Sequence, residues 1–268
     1  QSLETSIYRF FKMYNDNLKK NEPNYLDMEY HKKIHSLVDE TEGILLSNFL
    51  SPVIFKKVFE DLTKHVECCS KDVVESCFVY VKDGLKSYVT SNRIIQNNQK
   101  IVDLLNKIID EFYTENYNKL KASVELLLEC EKNVFTQHSD YVSTIKKIRN
   151  AVEDDVQDIK GLSQDFLSAY QQCNENSNTH TTYEVQISLY AYSKIVINRV
   201  SDMIPMMVFK YFISSINSNL ITSTMCYLSD ICLQDYFIDD KEHQKYQTDC
   251  IKRLTDLKEC SVRLQNLS

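Results

Sequence analysis

The sequence predicts an all-α protein drawn out into a rod, and three observations lead there. The chain has 268 residues but only three Gly and three Pro, too few for the regularly spaced turns that sheets and barrels need. Its apolar residues recur at spacings of three and four over long stretches, the period of one helical face. The stretch from Ile94 to Asn150 contains neither Gly nor Pro. As one helix rising about 1.5 Å per residue it would be on the order of 80 Å long, more than a globular core requires.

The chain is organised around Tyr183–Asp230. Val185, Leu189, Tyr192, Val196, Val200, Met203 and Met207 form one apolar stripe, and Ile197, Ile204, Val208, Phe212, Ile216 and Leu220 a second. Between Met203 and Ile213 only Pro205 and Lys210 interrupt the apolar run. A helix apolar on most sides is expected to be enclosed by other helices. Pro205 lies in its interior, where it removes a backbone bond at a cost of roughly 3 kcal/mol unless a kink absorbs it.

Taken in order, Leu3, Ile7, Phe10, Phe11, Tyr14 and Leu18 mark a first helix over residues 3 to 20, broken at Glu22-Pro23-Asn24. Leu26, Tyr30, Ile34, Leu37 and Val38 mark a second, ending near Gly43 or running on to Asn48. Ser51 is placed as an N-cap, with Pro52 at the first helical position. A third helix runs from about Val53 to Tyr88, with Gly84 as a loosening, and Thr90-Ser91-Asn92 is a polar junction. The fourth is the long Ile94–Asn150 segment. Residues 151 to 182 are acidic and then polar, reading as a short helix around Phe166–Tyr170 followed by a disordered tip loop. After the central helix comes the junction DICLQDYFIDDKEHQ, then a last helix from about Glu242 to Leu267. Its narrow stripe of Cys250, Leu254, Leu257, Val262 and Leu264 suits a helix that packs on something beyond this stretch of chain. The divisions are residues 1–150, a tip at 151–182, the returning helix at 183–238 and the C-terminal helix at 239–268.

Composition excludes several classes of function. A net charge of −7 argues against nucleic-acid binding, which wants a basic face. No apolar run reaches the roughly 18 residues that span a bilayer, and the N-terminus QSLETSIYRFF has no signal pattern. The chain does not begin with Met, which reads as a piece of a longer protein. Nine cysteines without a C-x-x-C pair read as free buried thiols in a reducing cytoplasm, Cys77, Cys130, Cys226 and Cys250 falling at apolar helical positions. His31 and His35, four apart, have the spacing of a metal pair but no third ligand, and read as a solvated face. Asp154, Asp155 and Asp158 lack the Gly turn of a calcium loop. With three glycines there is no phosphate-cradling loop, and no nucleophile elbow. No catalytic, cofactor-binding or metal-binding residue is expected.

Several stretches nevertheless resemble a known family. YEVQISLYAYSKIVINRVSDMIPMMVFKYFI is similar to the GTPase effector region of the dynamin superfamily, with Tyr192, Ile195, Val196, Val200, Asp202, Ile204 and Pro205 at the matching positions. DCIKRLTDLKECSVRLQNL looks like the bundle-signalling helix that closes such chains. FLSPVIFKKVFEDLTKHVECCSKDVVESCFVYV looks like the start of the middle domain, with the Phe59-Glu60 step. KLKASVELLLECEKNVFTQHSDYVSTIKKI is similar to the next helix of the Mx branch, including Glu125 and Cys130. The resemblance runs from about Phe49 to Leu267.

It implies an elongated antiparallel four-helix bundle, a stalk, with a C-terminal bundle-signalling-type helix whose Cys250, Leu254, Leu257 and Leu264 contact a GTPase head. This stretch would not itself be an enzyme; GTP and Mg would belong to a head in the full-length protein. Self-assembly of the stalk would use Val124, Leu128, Met225 and Leu228, the alternative being that they are intramolecular core; Met225→Asp would turn an oligomer into a monomer with helicity kept, whereas lost helicity would favour the core reading. The expected partners are further copies of the chain, the head in cis and, at the tip, a viral protein or a membrane, with no nucleic acid. The location implied is cytoplasmic, at the periphery of membranes where the tip binds lipid. No lipid-binding domain is inserted at the tip and the tip is acidic, which points to an Mx-like stalk, serving antiviral defence or membrane remodelling, rather than to a fission dynamin. The alternative is a rod-like subunit of a vesicle-tethering or cytoskeletal complex, distinguished by the lack of an upstream G-x-x-x-x-G-K-[ST].

Overall fold

The structure, a computed structural model, describes residues 3–20, 22–40, 52–96, 98–154, 159, 161–173, 178–230 and 241–265. All regular elements among them are helical: α1 (Leu3–Lys20), α2 (Met28–Asp39), α3 (Pro52–Ser91), α4 (Gln99–Glu131), α5 (Ser139–Asp154), α6 (Gln164–Gln171) and α7 (Asn178–Val208). Two π-helical stretches, Phe209–Ser214 and Ile216–Leu220, lead into α8 (Ile221–Asp230), and α9 covers Lys241–Gln265. The expected cap at Ser51 and the expected second-helix end at Gly43 or Asn48 lie outside the described residues.

Side-chain pairs fix the directions. His65 Nε2 faces the Asn17 backbone carbonyl (3.1 Å) and Tyr14 faces Ser70 (3.0 Å), while Lys33 meets Asp61 (2.9 Å) and Glu40 meets Lys57 (3.6 Å). Thus α1 and α2 together run antiparallel to α3. Lys86 and Lys82 both meet Asp110, and Tyr117 donates to Glu75 (2.7 Å), so α4 returns antiparallel to α3. Arg149 reaches Glu184 at 2.5 Å and Arg199 reaches Glu131 at 2.7 Å, so α7 opposes α5 and α4. The result is a four-segment antiparallel bundle: α1–α2, α3, α4–α5, and α7 through α8. At about 1.5 Å per residue the 40-residue α3 alone is about 60 Å long, so the bundle is elongated.

The predicted fourth helix is broken. Residues 132–138 part α4 from α5. Lys132 and Asn133 tighten the last turn of α4 onto Glu129 and Cys130. Thr136 Oγ1 accepts from the His138 amide (3.1 Å), and His138 Nδ1 accepts from the Asp140 amide (3.2 Å) as α5 begins. Between them the Phe135 backbone turns to the Tyr192 hydroxyl on α7. Side chains and a buried phenol supply the hydrogen bonds that a continuous helix would have made internally. The start also moves, from Ile94 to Gln99, where Asn98 Oδ1 caps the Ile101 amide (3.2 Å).

The first half of α7 is enclosed on nearly every side. Thr182, Val185, Gln186, Ile187, Leu189, Ala191, Tyr192 and Ser193 are all buried, which agrees with the predicted central helix. Its start differs: Asn178 to Thr182, expected in a loop, are helical. The helix runs α-helical through Pro205 to Val208, and the change of geometry comes at Phe209. Pro205 removes the bond to the carbonyl of Ser201, a partly exposed position. In the wider turns that follow, the Phe212 carbonyl accepts from the Tyr113 hydroxyl at 3.0 Å. Burial pushes that phenol above its usual range.

At the α2 end of the bundle, α6 covers the α1–α2 turn. Phe166 and Leu167 are fully buried, and Ser163 binds the Leu26 carbonyl through its amide (3.3 Å) and hydroxyl (3.4 Å). Gly161 makes this approach with φ at 89°, and a Cβ there would lie 2.8 Å from Asn24 Oδ1. The short helix expected around Phe166–Tyr170 is therefore α6, and it caps the bundle.

Candidate assembly surface

The surface that stands out lies along the seam between α4 and α7. Ser123 meets Tyr211 at 3.2 Å and Glu131 meets Arg199 at 2.7 Å. Glu131 is buried at the last turn of α4, and Arg199 Nε, also buried, has no partner. Leu126 lies three residues from Ser123, and Met203 and Met206 lie four and seven from Arg199; each thus shares the helical face of a residue that touches across the seam. Leu126 is 66% exposed, Met206 65%, Phe209 46% and Met203 36%. The expectation that the apolar run from Met203 to Ile213 is enclosed fails for this half of the helix. The bundle covers one side of it and leaves methionine and phenylalanine in water.

Of the four residues expected in self-assembly, the structure brings no set of four together. Val124 and Leu128 share the inward face of α4 with Leu120 and are 3% and 6% exposed. They are intramolecular core, because a face at one phase of a helix cannot also serve the opposite side. Met225 is exposed and Leu228 half-buried, both on α8. Leu126, the outward residue of α4, escapes sequence reasoning. Its signal is the run Leu126-Leu127-Leu128: a helix buried on one side has no inward place for all three.

On α9, Cys250, Leu254 and Leu257 are exposed, as are Tyr246 and Ile251; the side chain of Leu264 lies outside what is described. Another apolar groove opens at the far end of the bundle, where Tyr88, Val89, Leu105, Ile109, Ile221 and Met225 border a cavity of about 260 Å³.

The chemical candidates resolve differently from their reading in the sequence. His31 is not on a solvated face. It is buried, stacked on Tyr183 at 4.1 Å, with Nδ1 2.8 Å from Gln186 Oε1. Gln186 Nε2 donates to the carbonyls of Tyr25 (2.8 Å) and Asp27 (3.2 Å), so His31 must donate to the remaining amide oxygen. Burial lowers the His31 pKa, opposed by the Gln186 hydrogen bond. His35 binds Asp39 instead (2.8 Å). Among the described residues no group of three His, Cys, Asp or Glu is placed to hold a metal; Asp155 and Asp158 lie outside them. Of the four cysteines expected at apolar positions, Cys77 alone is buried, its thiol pushed up to about 12; Cys130 and Cys226 lie on outward helical faces, and Cys250 is on α9, whose described side chains are all exposed. Among the described residues no helix is long and apolar enough to cross a membrane.

Comparison with known families agrees with this architecture. Residues 2–150 match the dynamin central region, and residues 177–267 match the dynamin GTPase effector domain. No curated protein and no solved structure matches the chain. The first match covers α1 to α5 and more than half the chain; the second covers α7 to α9. The effector domain thus supplies the fourth segment that closes the bundle begun by the central region. The chain belongs to the dynamin family, and its central region and GTPase effector domain fold together as a helical stalk.

Proposed function

We propose that this chain is the self-assembling stalk of a dynamin-like large GTPase, joining copies of itself along the α4–α7 seam and coupling that assembly to a head that hydrolyses GTP with Mg. The observation that carries the reading is the exposed apolar seam of Leu126, Met203, Met206 and Phe209. Contiguous apolar surface on a folded protein marks an interaction site, and a bundle with a sufficient core has no other use for it. Met225, exposed on α8, borders the separate groove at the far end of the bundle and would be a second contact. The head would lie elsewhere in the full-length protein and would contact α9 in cis through Cys250, Leu254, Leu257 and Leu264.

Within the superfamily the Mx-like branch fits best. Only residues 155–177 separate α5 from α7, and α6 takes up part of them in covering the bundle end, which leaves no length for an inserted lipid-binding domain. An antiviral role, with a viral protein or membrane met at this end, follows from that branch. The two family matches favour this reading over a rod in a tethering or cytoskeletal complex.

The test is sedimentation of Met206→Asp. A monomer with unchanged helicity supports the seam as the contact. An unchanged oligomer removes it.

A further inference from the structure

We infer that Met203 and Met206 form an oxidation switch on the assembly seam: a peroxide converts their thioethers to sulfoxides, and copies carrying sulfoxide there no longer join. The switch rests on the reading of the seam as the contact between copies, and it adds a chemical control that this reading does not contain.

Position sets these two sulfurs apart. Six methionines occur in the chain, and three of them fall within Met203–Met207. Met207 packs on the core. Met203, Met206 and Phe209 instead follow one another at steps of three along the bare flank of α7 and the π-wound turn after it. Met203 lies one turn beyond Arg199, where α7 is tied to Glu131 on α4. Neither side chain has room inside, because Val200, Ile204 and Val208 occupy the inner face of the same turns and are fully buried. Leucine would supply similar apolar area at these positions. Methionine adds a soft sulfur that takes up oxygen.

The chemistry balances with a peroxide as the only co-reactant. A lone pair of the thioether sulfur attacks one peroxide oxygen, and the S–O bond forms as the O–O bond breaks. The departing oxygen takes the proton of the transferred one and leaves as water or an alcohol. Sulfur is oxidised by two electrons and the peroxide is reduced by two. The flexible apolar side chain becomes a polar one, with a strong hydrogen-bond acceptor. In a free copy water satisfies that oxygen. Between two copies packed through apolar side chains it has no donor, and burying it there opposes association. The sulfurs are open to peroxide in free copies and covered in joined ones. Oxidation therefore drains the free pool, and joined copies come apart by mass action.

The test is sedimentation of the intact chain before and after hydrogen peroxide, run in dithiothreitol. This thiol returns disulfides and sulfenic acids to cysteine, including exposed Cys130 four residues beyond Leu126, and leaves sulfoxide in place. Met13 on α1, which takes no part in the seam, is more than half exposed like Met206, so a gain of about 16 Da on its peptide confirms that oxidation occurred. Peroxide is expected to weaken association on the order of ten- to a hundredfold with helicity unchanged, and methionine sulfoxide reductase to restore it. The double variant Met203→Leu, Met206→Leu keeps the apolar contact and is expected to associate like wild type with or without peroxide. Association that survives peroxide in the wild type, or that is lost equally in the double leucine variant, overturns the switch alone. Untreated wild type that never associates overturns the seam reading itself, and the switch with it.

Discussion

The Tyr192 hydroxyl on α7 closes on both backbone polar groups of Phe135, accepting from its amide at 3.1 Å and donating to its carbonyl at 3.4 Å. This one side chain satisfies the backbone where α4 and α5 part. Tyr192→Phe keeps the ring packed on Phe59 at 5.0 Å and removes only the hydroxyl. The expected cost is about 1 kcal/mol in chemical denaturation, with faster amide exchange confined to residues 133–137. A loss spread over the whole bundle would show that the ring, and not the hydroxyl, is what matters.

His31 is expected to make the protein sensitive to acid. Its pKa is lowered from 6.5 by burial, so below that value the unfolded chain binds a proton that the folded chain resists. Stability from this site is complete above about pH 6.5 and falls as pH drops toward the lowered folded value. His31→Gln should flatten the dependence of unfolding free energy on pH in that window. Should the slope persist in the variant, another group is responsible.

Removing one partner of the part-buried Arg199–Glu131 pair should be costly. Arg199→Met leaves the Glu131 carboxylate, 5% exposed, without its charge-assisted hydrogen bond, for a loss of about 2 kcal/mol. The double variant with Glu131→Met should recover part of that loss, because the stranded charge is gone. Thermal unfolding of the two variants and the wild type decides this.

Gly161→Ala combines a left-handed backbone with a Cβ set 2.8 Å from Asn24 Oδ1. A cost of about 1–2 kcal/mol is expected, together with looser contact between α6 and the α1–α2 turn. Limited proteolysis near Ser163 reads this directly. Stability equal to wild type would mean that Asn24 swings aside freely.

Core and surface leucines of α4 should separate cleanly. Leu128→Ala is expected to cost about 2–4 kcal/mol in unfolding without changing the assembly state of the folded protein. Leu126→Asp should leave the unfolding midpoint close to wild type and reduce the sedimenting mass. The opposite pairing of effects would exchange their roles.

What the sequence discloses depends on how local each cause is. The limits of α1, α3 and α9 follow from periodicity and punctuation, because Pro52 and the Glu22–Asn24 break act on their own neighbours. The α4–α5 break does not, since Tyr192 stands 57 residues from Phe135. His31 looks solvated among Lys32, Lys33 and His35 until Gln186, 155 residues on, is brought against it. The same holds for Val124 and Leu128. Their stripe is legible as apolar, but whether it faces inward or toward another copy is decided by the helices that arrive beside it.

One helix in this bundle is wrapped at one end and bare along the other. From Thr182 to Ser193 α7 is held on nearly every side, whereas from Met203 onward it has support on one flank only. A beam held all round at one pole and braced on a single flank beyond it yields most readily along the braced part. Mechanical compliance therefore gathers in the π-wound portion and α8, so a push on the other pole is absorbed there while the wrapped pole stays still.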